Sequence, residues 1–594
     1  MMHARNLHQP LFLPMTRTDM NELGWKEVDI LLISGDAYMD HPAFGAALLG
    51  RWLTAHGFRV GIVAQPRWNG LDDVMRLGRP RLFAGISAGA LDSMLAHYTA
   101  FRRKRRDDAY TPGGIAGSRP NRACIVYTNL IRRAFPGLPV VLGGIEASLR
   151  RVSHYDFWTN ALRRSILLDA KADLILYGMA ERAVLALARI LDKDPDALTK
   201  DGPAQLASRL SGTVFACRKL ELPKNTPRIA LPSHEQILES PVKLVQTARL
   251  LEQQVHRGVE WAVQQCAKRL VVLTPPAAPL TSFEMDALYG LPFARKPHPA
   301  YDKPIPAMEM IAFSITTHRG CGGGCSFCFL ALHQGRHVSS RGRASILAEA
   351  KQLTGLRDWK GSISDVGGPS ANMWKAVCSK PDQDCTRDSC LHPSVCPFFD
   401  VDQQAMIGLL KEIRKLPKVR HVRVASGVRF DLLLKDQKSA SELIRHFVGG
   451  QLKLAPEHCA NTVLRLMRKP DFKAFENFLD FFENESAKAG KKQYVVPYLM
   501  SAFPGCTVKD MRKLAAWLES RGWRPRQVQC FVPTPGTMAT AMYYAEVDAT
   551  DKKLEVARTD AQRLEQHRIL MPDAGKSCFY SRGMAGAKGT LGTI

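Results

Sequence analysis

The sequence predicts an α/β chain built on two successive parallel sheets, the first doubly wound and the second curled toward a barrel. Three observations predict it. Short apolar runs bounded by turn residues recur between residues 28 and 179, with helical stretches between them. Prolines then crowd residues 271–307. From Met308 the strand-and-helix alternation resumes for six more strands. Such alternation gives parallel sheets covered by helices, and 594 residues exceed what one compact domain usually holds.

In chain order, VDILLIS (28–34) is a continuous apolar run stopped by Gly35 and Asp36, the pattern of a parallel strand buried on both faces. A helix follows from Phe44 to His56 and ends at Gly57. FRVGIVA (58–64), RLFAGIS (81–87), PVVLGGIE (139–146) and ADLILYGM (172–179) are the next strands. Ligands of doubly wound sheets bind beyond the carboxyl ends of the strands, where Asp36, His41, Gly143, Gly144 and Glu146 fall. Residues 118–135 read as a loop feeding an amphipathic helix. SHYDFWTNALRRSILL (153–168) reads either as a helix with a buried aromatic face or as an aromatic and basic face for nucleic acid. Residues 180–270 read mainly as helices and polar loops. The first domain is therefore drawn as 1–270, and 271–307 as a Pro-rich linker whose strand-like start, LVVL, gives way to prolines.

The second domain, 308–546, carries strands MIAFSIT (310–316), GSISDVGG (361–368), VRHVRVAS (419–426), QLKLAPE (451–457), QYVVPYLM (493–500) and RQVQCFV (526–532). A Cys-rich insertion occupies 378–396. Residues 547–594 form a tail ending in the aperiodic, Gly-rich SRGMAGAKGTLGTI.

Composition narrows the function classes. Hydrophobic content of 45% and charged content of 23% are those of a globular protein. No apolar run reaches the roughly 18 residues that span a membrane, and the first residues lack a signal-peptide core. A cytoplasmic protein is expected. In a reducing compartment, its 14 cysteines suit metal binding or catalysis rather than a disulfide framework. A net charge of +26 suits a polyanion such as RNA, with the densest run at Arg102, Arg103, Lys104, Arg105 and Arg106. The same charge also fits a plain solvated surface.

The chemistry concentrates in HRGCGGGCSFCFL (318–330), where Cys321, Cys325 and Cys328 are spaced C-x3-C-x2-C. Iron–sulfur clusters are held by cysteine thiolates, commonly four. A set of three leaves one iron open to a small molecule. The glycines of the loop let it turn its sulfurs toward one point. Together with HQGR (His333–Arg336) and EMIAFSITTHRGC (309–321), this stretch resembles the YgiQ family of radical S-adenosylmethionine (SAM) proteins, over roughly 28–546.

The resemblance implies a Rossmann-like first domain, similar to cobalamin-binding domains, followed by a partial (β/α)6 radical SAM barrel. It implies that Cys321, Cys325 and Cys328 hold a 4Fe–4S cluster, with Phe327 beside it as a cofactor-site residue. The open iron would chelate the amino and carboxylate groups of SAM. An electron, from a reductant such as flavodoxin or ferredoxin, would cleave SAM to methionine and a 5′-deoxyadenosyl radical. The cobalamin-ligating pattern D-x-H-x-x-G is absent, the text being DAYMDHPAFG (36–45), so cobalamin is not expected. Two alternatives stand beside this reading. One is a cobalamin-dependent radical SAM methyltransferase; the other is a non-catalytic iron–sulfur protein that binds nucleic acid.

Further candidates sit at strand ends, where barrels of this type place their chemistry. Gly367 and Gly368, followed by Pro369 where the family motif has an acid, either approach the SAM amino group or make a simple turn. Arg429 meets the SAM carboxylate or pairs with Asp431. Glu457 bonds ribose hydroxyls, moves a proton, or is a surface carboxylate. SAFPGCT (501–507) and FVPTPGT (531–537) resemble loops of methylthiotransferase-like radical SAM enzymes. Finally, Cys378, Cys385, Cys390 and Cys396 form a second set, spaced C-x6-C-x4-C-x5-C, suited to zinc or to a second iron–sulfur cluster.

Overall fold

The computed structural model describes residues 9–572 except 201, 208 and 381–383. SRGMAGAKGTLGTI lies outside the described residues. Strands β1 (Ile30–Ser34), β2 (Val60–Ala64), β3 (Phe83–Ser87), β4 (Val140–Leu142) and β5 (Leu174–Leu176) are mutually parallel in the order 2-1-3-4-5. That is a doubly wound order whose direction switches between β1 and β3. Alternate residues serve two cores: Ile30, Leu32, Ile62 and Leu174 face one, and Leu31, Ile33, Val63 and Ile175 the other. Burial on both faces is why these strands read as unbroken apolar runs. Helix α1 (Gly45–Ala55) supplies Ala47 and Leu53 to the first core, and α2 (Ala123–Ala134) supplies Ala123, Tyr127 and Ile131 to the second.

The sheet does not stop at β5. Strands β6 (Thr213–Cys217), β7 (Arg228–Leu231), β8 (Trp261–Cys266) and β9 (Arg269–Leu273) extend it to nine, in the order 5-6-9-8-7 and largely antiparallel. The reading of 180–270 as helices and loops is corrected here. β7 is a short edge strand with a mostly exposed sequence, and β8 has a buried Gln264 in mid-strand. Gln264 is satisfied by accepting from Ser153 N and donating to Pro232 O, contacts that no local pattern announces. Residues 153–168 are corrected too. They form an antiparallel hairpin, His154–Asp156 with Ala161–Arg163, then a short helix. Its Tyr155 and Phe157 are buried, with Tyr543 of the second half beside both rings. The long helix α3 (Val242–Arg257) also packs across onto Met538–Ala545.

The second half is a partial barrel of parallel strands. β10 is shorter than expected (Ser314–Thr316), because Met310 and Ile311 end a helix that begins with Pro306 at its first position. The second strand changes partner at Ser364: β11 (Ser362–Ile363) pairs with the strand His421–Val422, and β12 (Asp365–Gly367) pairs with β10. A small antiparallel hairpin, β13 (Val377–Cys378) with β14 (Phe399–Asp400), closes the Cys-rich insertion. β15 (His421–Val422) follows, then β16 (Gln451–Glu457), β17 (Tyr494–Ser501) and β18 (Gln529–Cys530), parallel in that order. Helices alternate with these strands and wall the barrel with residues such as Leu410, Phe447, Phe478 and Leu514. Past residue 546, helix Asp560–Leu570 packs on β17, where Gln566 accepts from Ala502 N and donates to Cys506 O. Among the described residues no helix is long and apolar enough to cross a membrane.

Candidate functional site

The three-cysteine loop leaves the carboxyl end of β10. Gly320 and Gly324 take φ of +85° and +58°, a region costly for other residues. Side chains are also excluded by contact: a Cβ on Gly320 would collide with the His337 carbonyl. The HQGR segment pins the loop, since Gly320 N donates to Gln334 Oε1 (3.0 Å) and Cys321 N to Gly335 O (3.2 Å). On its other side Ser326 bonds the backbone of Leu466 and Met467 through side chain and N–H. The Phe327 ring stands edge-on to Phe503, and Phe503 to Phe531. Phe327 therefore anchors the loop to the ends of β17 and β18.

Burial raises the Cys321 and Cys328 thiols, and repulsion from Cys325 adds to it. The Gly323 N–H, 3.4 Å from Cys321 Sγ, pulls the other way for Cys321, as do Arg429 and Lys469. Arg429 is clamped by Asp431 through Nε (2.9 Å) and Nη2 (2.7 Å), while Nη1 points at Cys325 Sγ, 4.0 Å away. Burial favours the neutral form of Asp431, but Arg429 outweighs it and holds the carboxyl below its ordinary value. Glu457 is 6% exposed, ends β16 at φ +66°, and faces Lys469 Nζ at 3.6 Å. Burial raises its pKa, and Lys469 and Arg429 only partly offset this. A non-glycine residue at positive φ is strained, and such strain gathers at functional sites. Ala502, just past β17, shares it at +56°. Cys325 and Cys328 border a small cavity of about 30 Å³ that Glu252 of α3 also lines.

Gly367 and Gly368 line a different space, a cavity of about 450 Å³ between the carboxyl ends of the two sheets. Asp36, Gly89 and Gly144 border it from the first sheet, and His318, Asp365 and Ser426 from the barrel. Gly368 is obligatory because a Cβ there would press on the His318 ring. His318 is fully buried, bonded to Thr317 Oγ1 and the Ser370 carbonyl; burial depresses its pKa to about 4, so the ring is neutral. Asp36 sits at the β1/β3 switch point. Burial raises it to about 6 against the pull of Arg119, 2.8 Å away.

Other expected strand-end residues prove structural. Glu146 accepts from Ser93 N and Cys124 N and so serves the first turn of α2. His41 Nε2 faces Arg295 Nη1 at 2.9 Å. Sequence reasoning missed His318, Asp365, Arg336 and Lys469. His318 and Arg336 stood inside the motifs 318–330 and 333–336, and Asp365 was an acid inside a predicted barrel strand; Lys469 had no signal. Among the described residues, no three His, Cys, Asp or Glu side chains gather closely enough to grip a single metal ion.

A family model described as radical SAM N-terminal matches residues 12–314. A UPF0313 protein of Geobacter sulfurreducens is 47% identical over 565 residues, 94% of this chain and 92% of that one. The chain belongs to the UPF0313, or YgiQ, family of radical SAM proteins. Further UPF0313 proteins are 44% identical in Methanosarcina acetivorans (94% and 78% covered) and 41% in Pseudomonas aeruginosa (93% and 82%). The solved radical SAM methyltransferase TsrM of Kitasatospora setae is similar at a TM-score of 0.49 and 14% identity, over 86% of this chain and 75% of that one. No cofactor or substrate follows for this UPF0313 chain from so loose a likeness.

Proposed function

We propose that this UPF0313 protein is a radical SAM enzyme in which Cys321, Cys325 and Cys328 hold a 4Fe–4S cluster and leave one iron for SAM. The observation that carries the reading is three thiols within electrostatic reach of one another on a backbone-pinned glycine loop at the end of β10, with cations beside them. The donor set fits the group. Thiols raised by burial and mutual repulsion become stable thiolates when metal neutralises them. Arg429 and Lys469 suit the remaining negative charge. When bound, the cluster supplies the electron that cleaves SAM to methionine and a 5′-deoxyadenosyl radical.

The residues around the loop divide the remaining tasks. Arg429, already held by Asp431, steadies the thiolates rather than the SAM carboxylate. Gly367 and Gly368 offer backbone to ligand in the inter-sheet cavity, whose volume of about 450 Å³ suits a small molecule or a single nucleotide. Neutral His318 forms part of its wall. Glu457 and Lys469 act at the mouth of β16, where the carboxyl group, raised by burial, holds or passes a proton. Cobalamin is not part of the reading, which rests on the absence of the D-x-H-x-x-G pattern from DAYMDHPAFG (36–45). The electron comes from a one-electron protein donor, and RNA is the polyanion that the charge of +26 suits.

Anaerobic reconstitution followed by reduction with SAM tests the proposal. It expects 5′-deoxyadenosine and about four iron atoms lost in the variant lacking all three cysteines. A parent chain that fills with iron and sulfide yet leaves SAM intact would refute it.

A further inference from the structure

The four remaining clustered cysteines stand on an unusual segment. Between β13 and β14 the chain runs twenty residues, 379–398, without regular strand or α-helix among the described residues. Structureless loops of that length in a compact domain are usually functional or disordered. This one is packed. Its ends are closed by the β13–β14 hairpin, where Cys378 pairs with Phe399. Arg387 donates to the carbonyls of Ser389 (3.0 Å) and His392 (2.9 Å), and Cys396 N to Cys390 O (2.7 Å). Cys390 and Cys396 are buried, and Cys390 lies within electrostatic reach of Cys378, Cys385 and Cys396.

All four cysteines line one cavity of about 380 Å³. Arg336 borders the same cavity. It is 8% exposed, and its Nη1 has no hydrogen-bond partner among the described residues. Arg336 already feels the Glu252 carboxylate, and its open Nη1 leaves a buried donor for a further anion. Four neutral thiols do not supply one. Four thiolates around metal carry net negative charge, whether the metal is zinc or iron–sulfur. Zinc needs its sulfurs at about 2.3 Å from a single point. Here the four thiols border a cavity of about 380 Å³, which has room for a larger group. That arrangement fits a multi-iron cube.

The cavity also abuts the first site. Cys390 N donates to Gly322 O at 2.9 Å, Ser389 Oγ bonds Gly323 O, and Cys321 packs against the apolar group that holds Cys390, Cys396 and Phe399. Gly322 is required there, because a Cβ would meet the Phe399 ring at 2.7 Å. We propose that Cys378, Cys385, Cys390 and Cys396 bind a second iron–sulfur cluster, fully ligated by protein, with Arg336 as its buried counter-charge.

The test is metal content and electron paramagnetic resonance on the full chain after anaerobic reconstitution. The parent is expected to hold about eight iron atoms and the C321A/C325A/C328A variant about four, with a reduced signal that SAM does not shift. The C378A/C385A/C390A/C396A variant should keep about four iron atoms and a signal that SAM does shift. Should that variant fail to fold, Arg336→Met in the three-cysteine-less background replaces it, with an altered potential or signal expected for the remaining cluster. About one zinc per chain in the three-cysteine variant, or no metal there, would overturn the second cluster while leaving the first untouched.

Discussion

The two cysteine loops lie side by side and are built in opposite ways. The first spans eight residues, 321–328, and bends through its own glycines, with Gly320 and Gly324 at positive φ. The second spans nineteen, 378–396, without a single glycine. Its course is set by the hairpin that closes its ends, by Arg387 bonding the loop's own carbonyls, and by leaning on Gly322 and Gly323 of its neighbour. One geometry is written locally and the other is imposed by tertiary contact. The first loop should therefore fail through its own residues, and the second through its supports.

The largest effect is expected at the first loop. Cys325→Ala should reduce 5′-deoxyadenosine formation to the level of the cluster-free chain, as followed by liquid chromatography. Retained turnover would erase the distinction between the loops. Next comes Gly320→Ala, which combines a left-handed backbone with a clash against the His337 carbonyl. It should cost about 2–4 kcal/mol in chemical denaturation. Arg387→Met removes hydrogen bonds from a charged donor to loop carbonyls and should cost about 1–3 kcal/mol by the same measurement.

A pH series sharpens the role of Arg429. Asp431 is held below its ordinary value in the folded chain, so its contribution is full at neutral pH. The contribution falls away only as pH drops through that depressed value. In Arg429→Met, burial is left to dominate and pushes the carboxyl up. That variant should gain stability relative to the parent as pH falls from 7 toward 4, read from denaturation midpoints. Parallel curves would show that Arg429 does not set the charge of Asp431. The smallest effect is expected at the exposed basic run, far from either loop in sequence. If RNA is bound there, replacing Arg103, Lys104 and Arg105 with Gln should reduce the slope of log affinity against log salt by about 2. An unchanged slope would remove this run from any RNA surface.

The same contrast explains what could be read in advance. Strands β1 to β5 were legible because burial on both faces leaves continuous apolar runs, as in Ile30–Ser34, and barrel strands such as Gln451–Glu457 were legible by the alternation of buried and more exposed positions. β7 and β8 were not, since an edge strand carries Arg228 and a buried Gln264 is tolerated only because Ser153 and Pro232 satisfy it. The hairpin at 154–163 was hidden because its aromatic residues serve a contact with Tyr543, nearly four hundred residues away. In the site, cysteine spacing and glycines gave the first loop directly. The links that join the halves were invisible: Arg319 to Glu181 at 2.5 Å and Arg468 to Glu252 at 2.9 Å. Each depends on how two separately encoded sheets meet.

The central claim is that the first loop builds a site for reductive cleavage of SAM. The most direct measurement mixes anaerobically reconstituted, dithionite-reduced chain with SAM and quantifies 5′-deoxyadenosine and methionine by mass spectrometry. The account predicts both products in equal amounts from the parent and neither from the variant lacking Cys321, Cys325 and Cys328. Full loading with iron and sulfide, full reduction and untouched SAM would contradict it.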